Sequence, residues 1–226
     1  MNGKQLVFGI VMAAGVGLCV AAYFIVWGGS GGSDSTVDVP KYAITLSPSD
    51  HTLGSPTAPV QVVEYAAPTC PICARWDMTV FQGFKSAYVD TGKVHYIFRV
   101  FPLQAVDLSV EAMARCLPQS GYFPFIDMMY HNQYQWDPDG FQIPDQKAAL
   151  VQMGKAAGMT EAQVDRCTSD QAALKRASDI GGYAQKTYSI NSTPSFIIDG
   201  VFHQQDFMSP EGMHAVLDAE LKKRQS

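Results

Sequence analysis

The chain has 226 residues, of which 47% are hydrophobic and only 16% are charged. This composition is typical of a packed globular protein and excludes general disorder. The length suits one core with an elaboration and is short for two full-sized domains. The formal net charge of −5, with no basic cluster before Lys222-Lys223-Arg224, leaves no basic surface for nucleic acid.

The N-terminal segment differs from the rest of the chain. Residues 6–27 carry no charged side chain, and as a helix rising ~1.5 Å per residue they would cover the ~30 Å hydrocarbon core of a bilayer. Lys4 precedes them, which favours an N-terminus inside the cell. We expect a cytoplasmic segment at 1–5, a single transmembrane anchor at 6–27 in the inner (cytoplasmic) membrane, and a body in the periplasm or extracytoplasmic space.

Two other interpretations of this segment remain open. A cleaved signal peptide is disfavoured because the apolar run is long and no small-x-small site ends it. Lipidation at Cys19 is disfavoured by the bulky Leu18 before it. An anchor and a signal peptide both export the body. The cysteines of that body form an even set, which suits an oxidising compartment: Cys70, Cys73, Cys116 and Cys167.

Residues 28–40 begin with a Gly/Ser run that predicts a flexible linker. The predicted elements that follow are a short β-like piece at 42–46, a turn-rich segment at 53–59, a strand at 60–65, a helix from Thr69 or Cys70 to about Gly92, and a buried strand at 94–100.

The remaining elements are predicted from helical periodicity and turn signals. They are helices at 107–116, 122–133, 145–158, 160–167 and 170–188, a strand at 195–198, a hairpin turn at Asp199-Gly200, a strand at 201–202 and a final helix capped by Ser209. The last helix of the helical block carries a stripe of small residues, which predicts close approach to another element. We therefore predict an α/β core at 41–102 and 190–226, interrupted by an all-helical insertion at 103–189.

The most informative motif is Cys70-Pro71-Ile72-Cys73, which joins a strand to the first turn of a helix. Free N–H groups and the helix dipole favour a thiolate there. We expect Cys70 to be the nucleophile, with its sulfur facing solvent, and Cys73 to resolve mixed disulfides. A structural disulfide or half of a zinc site are the alternatives, but no second C-x-x-C exists and the histidines show no paired spacing. We expect no metal and no cofactor.

Glu64 interrupts the apolar strand before this motif. An edge position facing water would explain it. Alternatively, the carboxyl group is buried and protonated or hydrogen-bonded. In that position it would accept the proton of Cys73, directly or through a water. Thr193-Pro194 opens the strand at 195–198, which by itself is ordinary for proline.

The stretches LGSPTAPVQVVEYAAPTCPIC (53–73) and STPSFIIDG (192–200) resemble the DsbA family of thiol-disulfide oxidoreductases. That family has a thioredoxin-like fold with an inserted helical domain. The resemblance extends from residue 53 to the C-terminus. It implies a cis Pro194 against the cysteine pair, backbone hydrogen bonds from Thr193 to an extended substrate, and a buried acid at Glu64.

The sequence departs from the best-known family members at Ile72, where they carry histidine. Isoleucine supplies no cation or N–H donor to a thiolate. We therefore expect the pKa of Cys70 to lie above ~3.5, the strongly oxidising end of the range for such cysteines.

Cys116 and Cys167 both fall in the helical block. They are either two buried thiols, a second redox pair or a structural disulfide. Relatives with a cysteine in each of these helices support the disulfide.

These features predict an extracytoplasmic thiol-disulfide oxidoreductase that oxidises exported proteins with free cysteines. By family analogy its dithiol is reoxidised by a quinone-linked membrane oxidase. A membrane-tethered reductase or isomerase would use the same residues. A non-catalytic holdase on this fold is the alternative of a different class.

Overall fold

The computed structural model describes residues 42–225. The predicted N-terminal segment (1–5), anchor (6–27) and linker (28–40), together with Cys19, lie outside the described residues. Within the described part, no helix is both long enough and apolar enough to cross a bilayer.

The strands of the described region are β1 His51–Leu53, β2 Val60–Ala66, β3 Val94–Val100, β4 Ser195–Ile198 and β5 Val201–His203. They form a five-stranded sheet in the order β1-β3-β2-β4-β5. β2 is parallel to β3, whereas the other neighbours are antiparallel. β2 is therefore paired on both sides, and the chain that leaves its C-terminal end emerges from the middle of the sheet.

Helix α1 spans residues 71–89 as alternating α-helical and π-helical turns: Pro71–Trp76, Asp77–Phe81, Gln82–Phe84 and Lys85–Val89. The other helices are α2 Ala105–Cys116, α3 Tyr122–His131, α4 Gln133–Trp136, α5 Gln146–Ala156, α6 Glu161–Ser169, α7 Gln171–Tyr188 and α8 Pro210–Lys223. The order of elements confirms the predicted helical insertion, because α2 to α7 lie between β3 and β4 in the chain.

Alternating side chains of β2 face opposite sides of the sheet. Val60 and Val62 join the larger apolar cluster, to which α1, α8 and the insertion helices α2 to α6 also contribute. Val63 and Tyr65 join a smaller cluster with residues of α7. Glu64 has the parity of Val62 and therefore points into the larger cluster.

Two local predictions are confirmed. The hairpin between β4 and β5 turns through Asp199 (φ 48°) and Gly200 (φ 89°), the left-handed pair that a tight hairpin turn requires. The small-residue stripe of α7 allows close packing, because a Cβ added at Gly181 would lie 2.7 Å from Cδ of Pro102.

The predicted β-like piece at 42–46 is wrong. The first strand is β1, which begins at His51. The preceding segment is instead held by the Arg99 side chain, which donates to the carbonyl of Thr45 at 2.7 Å and to the carboxylate of Asp50 at 2.8 and 3.0 Å. Side-chain hydrogen bonds have replaced a backbone ladder, which the residue pattern does not reveal.

Cys116 and Cys167 form a disulfide between α2 and α6. It lies within the insertion and closes a separation of 51 residues. In the loop-entropy model a bridge of this span stabilises the fold by about 4 kcal/mol. The bridge fixes the insertion and leaves Cys70 and Cys73 as the free cysteines of the described region.

Candidate active site

Cys70 caps the N-terminus of α1. Its backbone is extended (φ −74°, ψ 115°), and its Sγ accepts a hydrogen bond of 3.2 Å from the N–H of Cys73. Pro71 occupies the first helical position, where its missing N–H costs nothing and its fixed φ suits the helix. Pro71 and Ile72 are exposed. The sulfur therefore receives N–H groups that the helix leaves unpaired.

The two cysteines have opposite acidities. The pKa of Cys70 is lowered to about 6, first by a hydrogen bond from the Cys73 thiol, then by Thr193 and the N–H groups of Cys73 and Ile72, against the opposing effect of burial. Burial raises the pKa of Cys73 well above its ordinary value, and the neighbouring Cys70 and Glu64 raise it further. Near neutral pH the pair therefore holds a Cys70 thiolate beside a Cys73 thiol.

The expectation that the Cys70 sulfur faces solvent is wrong. Cys70 is only 3% exposed, whereas its neighbour Ile72 is 41% exposed. The loop before β4 covers it, since the thiol donates a 3.5 Å hydrogen bond to the carbonyl of Thr193. That loop is remote in sequence, so the position of Cys70 at a helix end gave no sign of it. Only a small part of Cys70 is therefore open to a substrate sulfur.

The Thr193–Pro194 peptide is cis, as the resemblance implied. Gln204 holds this loop: its side-chain amide donates to the hydroxyl of Ser192 at 2.8 Å and to the carbonyl of Pro194 at 3.3 Å. Thr193 is half-buried, and its side chain helps to lower the pKa of Cys70. The loop therefore brings Thr193 into contact with Cys70.

Glu64 lies at 2% exposure in the middle of β2, between Phe98 of β3 and Phe196 of β4. The edge interpretation is therefore wrong. Its carboxyl accepts a hydrogen bond of 2.6 Å from the hydroxyl of Tyr96. Burial raises the pKa of Glu64 to about 8, even though the Tyr96 hydrogen bond opposes the change. A buried acid with this pKa can give or take a proton near neutral pH.

A small cavity of about 20 Å³ adjoins Glu64 and is also lined by Tyr96, Asp77 and Tyr130. Oδ2 of Asp77 and the hydroxyl of Tyr130 are buried and have no partner within the described chain. A cavity of this volume with several polar groups has room for about one water. Such a water would contact Glu64, but Cys73 does not line this cavity, so the predicted water bridge from Glu64 to Cys73 stays a prediction.

Sequence reasoning did not assign a role to these cavity residues. The sequence could have indicated Asp77 as a site residue, because it follows Cys73 by four residues on the buried face of α1. The sequence indicated Tyr96 only in part: its place in the alternation of β3 predicts a side chain that points into the core, but not its contact with Glu64. Tyr130 comes from α3, and no local signal links it to the site.

A second missed residue is Asp107, near the start of α2. Its fully buried carboxyl accepts from the N–H of Thr69 at 2.8 Å and from the Thr69 hydroxyl at 3.0 Å. It also accepts from the N–H groups of Leu103 and Gln104, each at 2.9 Å. Asp107 thereby ties the residue before Cys70 to the insertion. Its place as the third residue of α2, in a capping box with Gln104, was the available signal.

Within residues 42–225, one group of side chains that could bind a metal ion lies apart from the cysteine pair. Ligand atoms of Asp77, Asp127 and His131 lie within 4.8 Å of one another. Cys70 and Cys73 are not part of this group. The described residues therefore do not complete a zinc site around the cysteine pair.

We expect the absorbance of the reduced protein at 240 nm to rise with a midpoint near pH 6 as Cys70 ionises. Cys70→Ser should abolish this transition, and Cys73→Ser should retain it. The missing histidine at Ile72 is the reason to expect a value above that of strongly oxidising family members. A midpoint below pH ~4 would refute this assignment.

Glu64 makes a specific contribution to the pH dependence of stability. Since its pKa is raised to about 8, the folded state keeps a proton that the unfolded chain releases above its ordinary pKa. The resulting stabilisation is complete below pH ~4.5 and is lost as the pH rises to about 8, with a slope approaching ~1.4 kcal/mol per pH unit.

Urea unfolding of the wild type and Glu64→Gln, in the same redox state, measures this contribution. The raised pKa of Asp77 acts in the same direction, so the difference between the two proteins isolates Glu64. We expect that difference to shift in favour of the glutamine variant as the pH rises through this window. Parallel curves would show that Glu64 is already ionised in the folded protein.

Comparison with known proteins shows which family the chain belongs to. The family model described as Thioredoxin matches residues 46–219, more than half of the chain. A relative named probable disulfide bond formation protein D, from Bacillus cereus, is 30% identical over 175 residues, covering 76% of this chain and 78% of the relative. A protein named as a protein-disulfide oxidoreductase in Rickettsia bellii is 28% identical over 184 residues, covering 81% and 69%.

Solved structures agree. The crystal structure of Wolbachia pipientis alpha-DsbA1 is 26% identical and has a TM-score of 0.70, covering 80% of this chain and 95% of that chain. The predicted thioredoxin-like fold with a helical insertion is therefore confirmed. The chain belongs to the thioredoxin family as a DsbA-like disulfide oxidoreductase, an enzyme of thiol-disulfide interchange.

Proposed function

We propose that this protein introduces disulfide bonds into exported proteins outside the cytoplasm. The supporting observation is the pKa of Cys70, lowered from 9.0 to about 6. A sulfur stabilised as an anion leaves readily from a mixed disulfide, so the substrate's second thiol displaces it. The same stabilisation favours the reduced dithiol, which makes the Cys70–Cys73 disulfide a stronger oxidant.

The oxidative half-reaction starts from the Cys70–Cys73 disulfide. A substrate thiolate attacks Sγ of Cys70, the bond between the two cysteines breaks, and its electron pair goes to the sulfur of Cys73. Glu64, protonated below pH about 8, supplies the proton that Cys73 needs. A second substrate thiolate then attacks the substrate sulfur and releases Cys70 as a thiolate. The substrate loses two electrons and the enzyme gains them.

Reoxidation reverses the roles of the same groups. The Cys70 thiolate attacks a disulfide of the oxidising partner, and Cys73 gives its proton to Glu64 before it attacks Sγ of Cys70. By family analogy the partner is a quinone-linked membrane oxidase. No cofactor is needed on this chain, because every step exchanges one sulfur–sulfur bond for another.

The loop at Thr193 supports a role in holding the substrate. Its backbone faces Cys70, and the Thr193 carbonyl oxygen lies 3.5 Å from Sγ of Cys70. An extended substrate segment would pair with this backbone, as an added strand does. Its cysteine would then lie beside the nucleophile, so the loop would align the attacking sulfur with Sγ of Cys70.

A reductase or isomerase is the second candidate. The pKa of about 6 for Cys70 lies nearer to the ~7 of thioredoxin than to the ~3.5 of DsbA, which favours a less oxidising couple. Equilibration of the protein with glutathione separates the two directions. We expect a reduction potential between ~−270 mV and ~−120 mV, whereas a value at or below ~−270 mV would favour the reductase.

Single-cysteine variants test the chemistry independently of its direction. Cys70→Ser should no longer oxidise a reduced, unfolded test protein, because the nucleophile is lost. With a disulfide-bonded test protein, the Cys70 thiolate of Cys73→Ser should attack that disulfide, release one of its sulfurs as a thiolate and remain in a mixed disulfide, because Cys73 is no longer there to resolve it. If Cys70→Ser oxidised the test protein as well as the wild type does, a holdase role on this fold would become the better explanation.

We also propose that residues 6–27 anchor the protein in the cytoplasmic membrane and that residues 28–40 let its body reach exported partners. The uncharged run and the preceding Lys4 support this orientation. Alkaline phosphatase fused after Ser226 should be active, since that enzyme needs an oxidising compartment, and should stay in the membrane fraction. An inactive fusion would contradict export, and an active but soluble product would identify a cleaved signal peptide.

A further inference from the structure

Gln133, the first residue of α4, contacts the active-site loop from the helical insertion. Its side-chain amide nitrogen donates to the carbonyl of Pro68 at 2.8 Å and to the carbonyl of Cys70 at 3.2 Å. Both acceptors flank Thr69. One side chain, 63 positions away in sequence from the nucleophile, thus binds its peptide group directly.

The Cys70 carbonyl is the first acceptor of α1. It also receives the N–H of Ala74 at 3.0 Å, so Gln133 provides its second donor. Two donors fix the orientation of this peptide and with it the extended ψ of Cys70. That backbone conformation sets the 3.2 Å contact between Sγ of Cys70 and the N–H of Cys73. Gln133 therefore supports the contact that stabilises the thiolate, without touching the sulfur.

Gln133 is held rigidly enough to act in this way. Trp136, at the end of α4, is fully buried and donates to the carbonyl of Met129 at 2.9 Å. Its own carbonyl accepts from the side chain of Gln146 at 2.6 Å. Asp107 holds Thr69 from α2. Two helices of the insertion, α2 and α4, therefore form hydrogen bonds with the loop before the nucleophile.

We propose that Gln133 is a positioning residue through which the helical insertion holds the Cys70 backbone in the conformation that its reactive thiolate needs. The inference rests on dithiol exchange at Cys70 and Cys73, and it holds for either direction of electron flow. It gives the insertion a part in tuning the nucleophile.

The test compares Gln133 with Gln135 of the same short helix. Among residues 42–225, the side-chain amide of Gln135 donates to neighbours within the insertion, Oδ1 of Asn132 and the hydroxyl of Tyr134, each at 2.8 Å. Alanine and glutamate variants at both positions are titrated at 240 nm in the full chain, and their urea unfolding is recorded. The titration reports the nucleophile, whereas unfolding reports general stability.

We expect Gln133→Ala to lower the acid dissociation constant of Cys70 about three- to tenfold, the effect of losing a typical hydrogen bond. Gln133→Glu should lower it further, because a carboxylate would oppose two carbonyl oxygens and add a negative charge near the thiolate. Gln135→Ala and Gln135→Glu should change it less than twofold.

Equal effects at the two positions would overturn the proposal, as would Gln133 variants that lose stability while Cys70 titrates normally. If Gln133→Glu fails to fold, the two alanine variants decide the matter alone. The outcome is separable from that of the proposed function. The wild-type reduction potential tests the direction of catalysis, whereas the difference between positions 133 and 135 tests the positioning role.

Discussion

The chemistry depends on the hydrogen bonding of Cys73 to Sγ of Cys70, from its thiol and, at 3.2 Å, from its N–H. This hydrogen bonding exists because β2 ends in the middle of the sheet and delivers Cys70 to the first turn of α1. The same geometry places Cys73 one turn deeper, where burial keeps it protonated. Two identical side chains thereby acquire different roles: one sulfur attacks or leaves as an anion, and the other waits as a thiol. Oxidation and reduction of a substrate would both use this difference between the two sulfurs.

Much of this arrangement could be predicted from local sequence. The alternation in β2 gave Glu64 a core-facing or an edge position, and Cys70-Pro71-Ile72-Cys73 marked a strand-to-helix junction. The Asp199-Gly200 turn was equally clear. The cover over Cys70 did not follow from local pattern: the loop at Thr193 arrives 123 positions later, and only the family resemblance placed Pro194 against the cysteine pair. A pattern that describes one element cannot report which other element packs over it.

The buried polar groups near Glu64 could not be predicted from local sequence either. Tyr96 and Tyr130 read as ordinary aromatic core residues, and only the assembled structure puts their hydroxyls beside carboxyl groups. Glu64 is tolerated in the core because Tyr96 satisfies one oxygen and because its raised pKa lets it stay protonated. The cost of burying this acid thus creates a proton donor and acceptor beside the cysteine pair, and the insertion supplies part of its surroundings.

The central claim is that Cys70, although only 3% exposed, is ionised and reacts, whereas Cys73 stays a buried thiol. Brief treatment of the fully reduced protein with iodoacetamide at pH 7, followed by peptide mass spectrometry, tests it directly. The account predicts that the label appears on Cys70 well before Cys73, at a rate that follows the ionisation of Cys70. Equal labelling of the two cysteines, or a Cys70 that stays unlabelled until the protein unfolds, would contradict it.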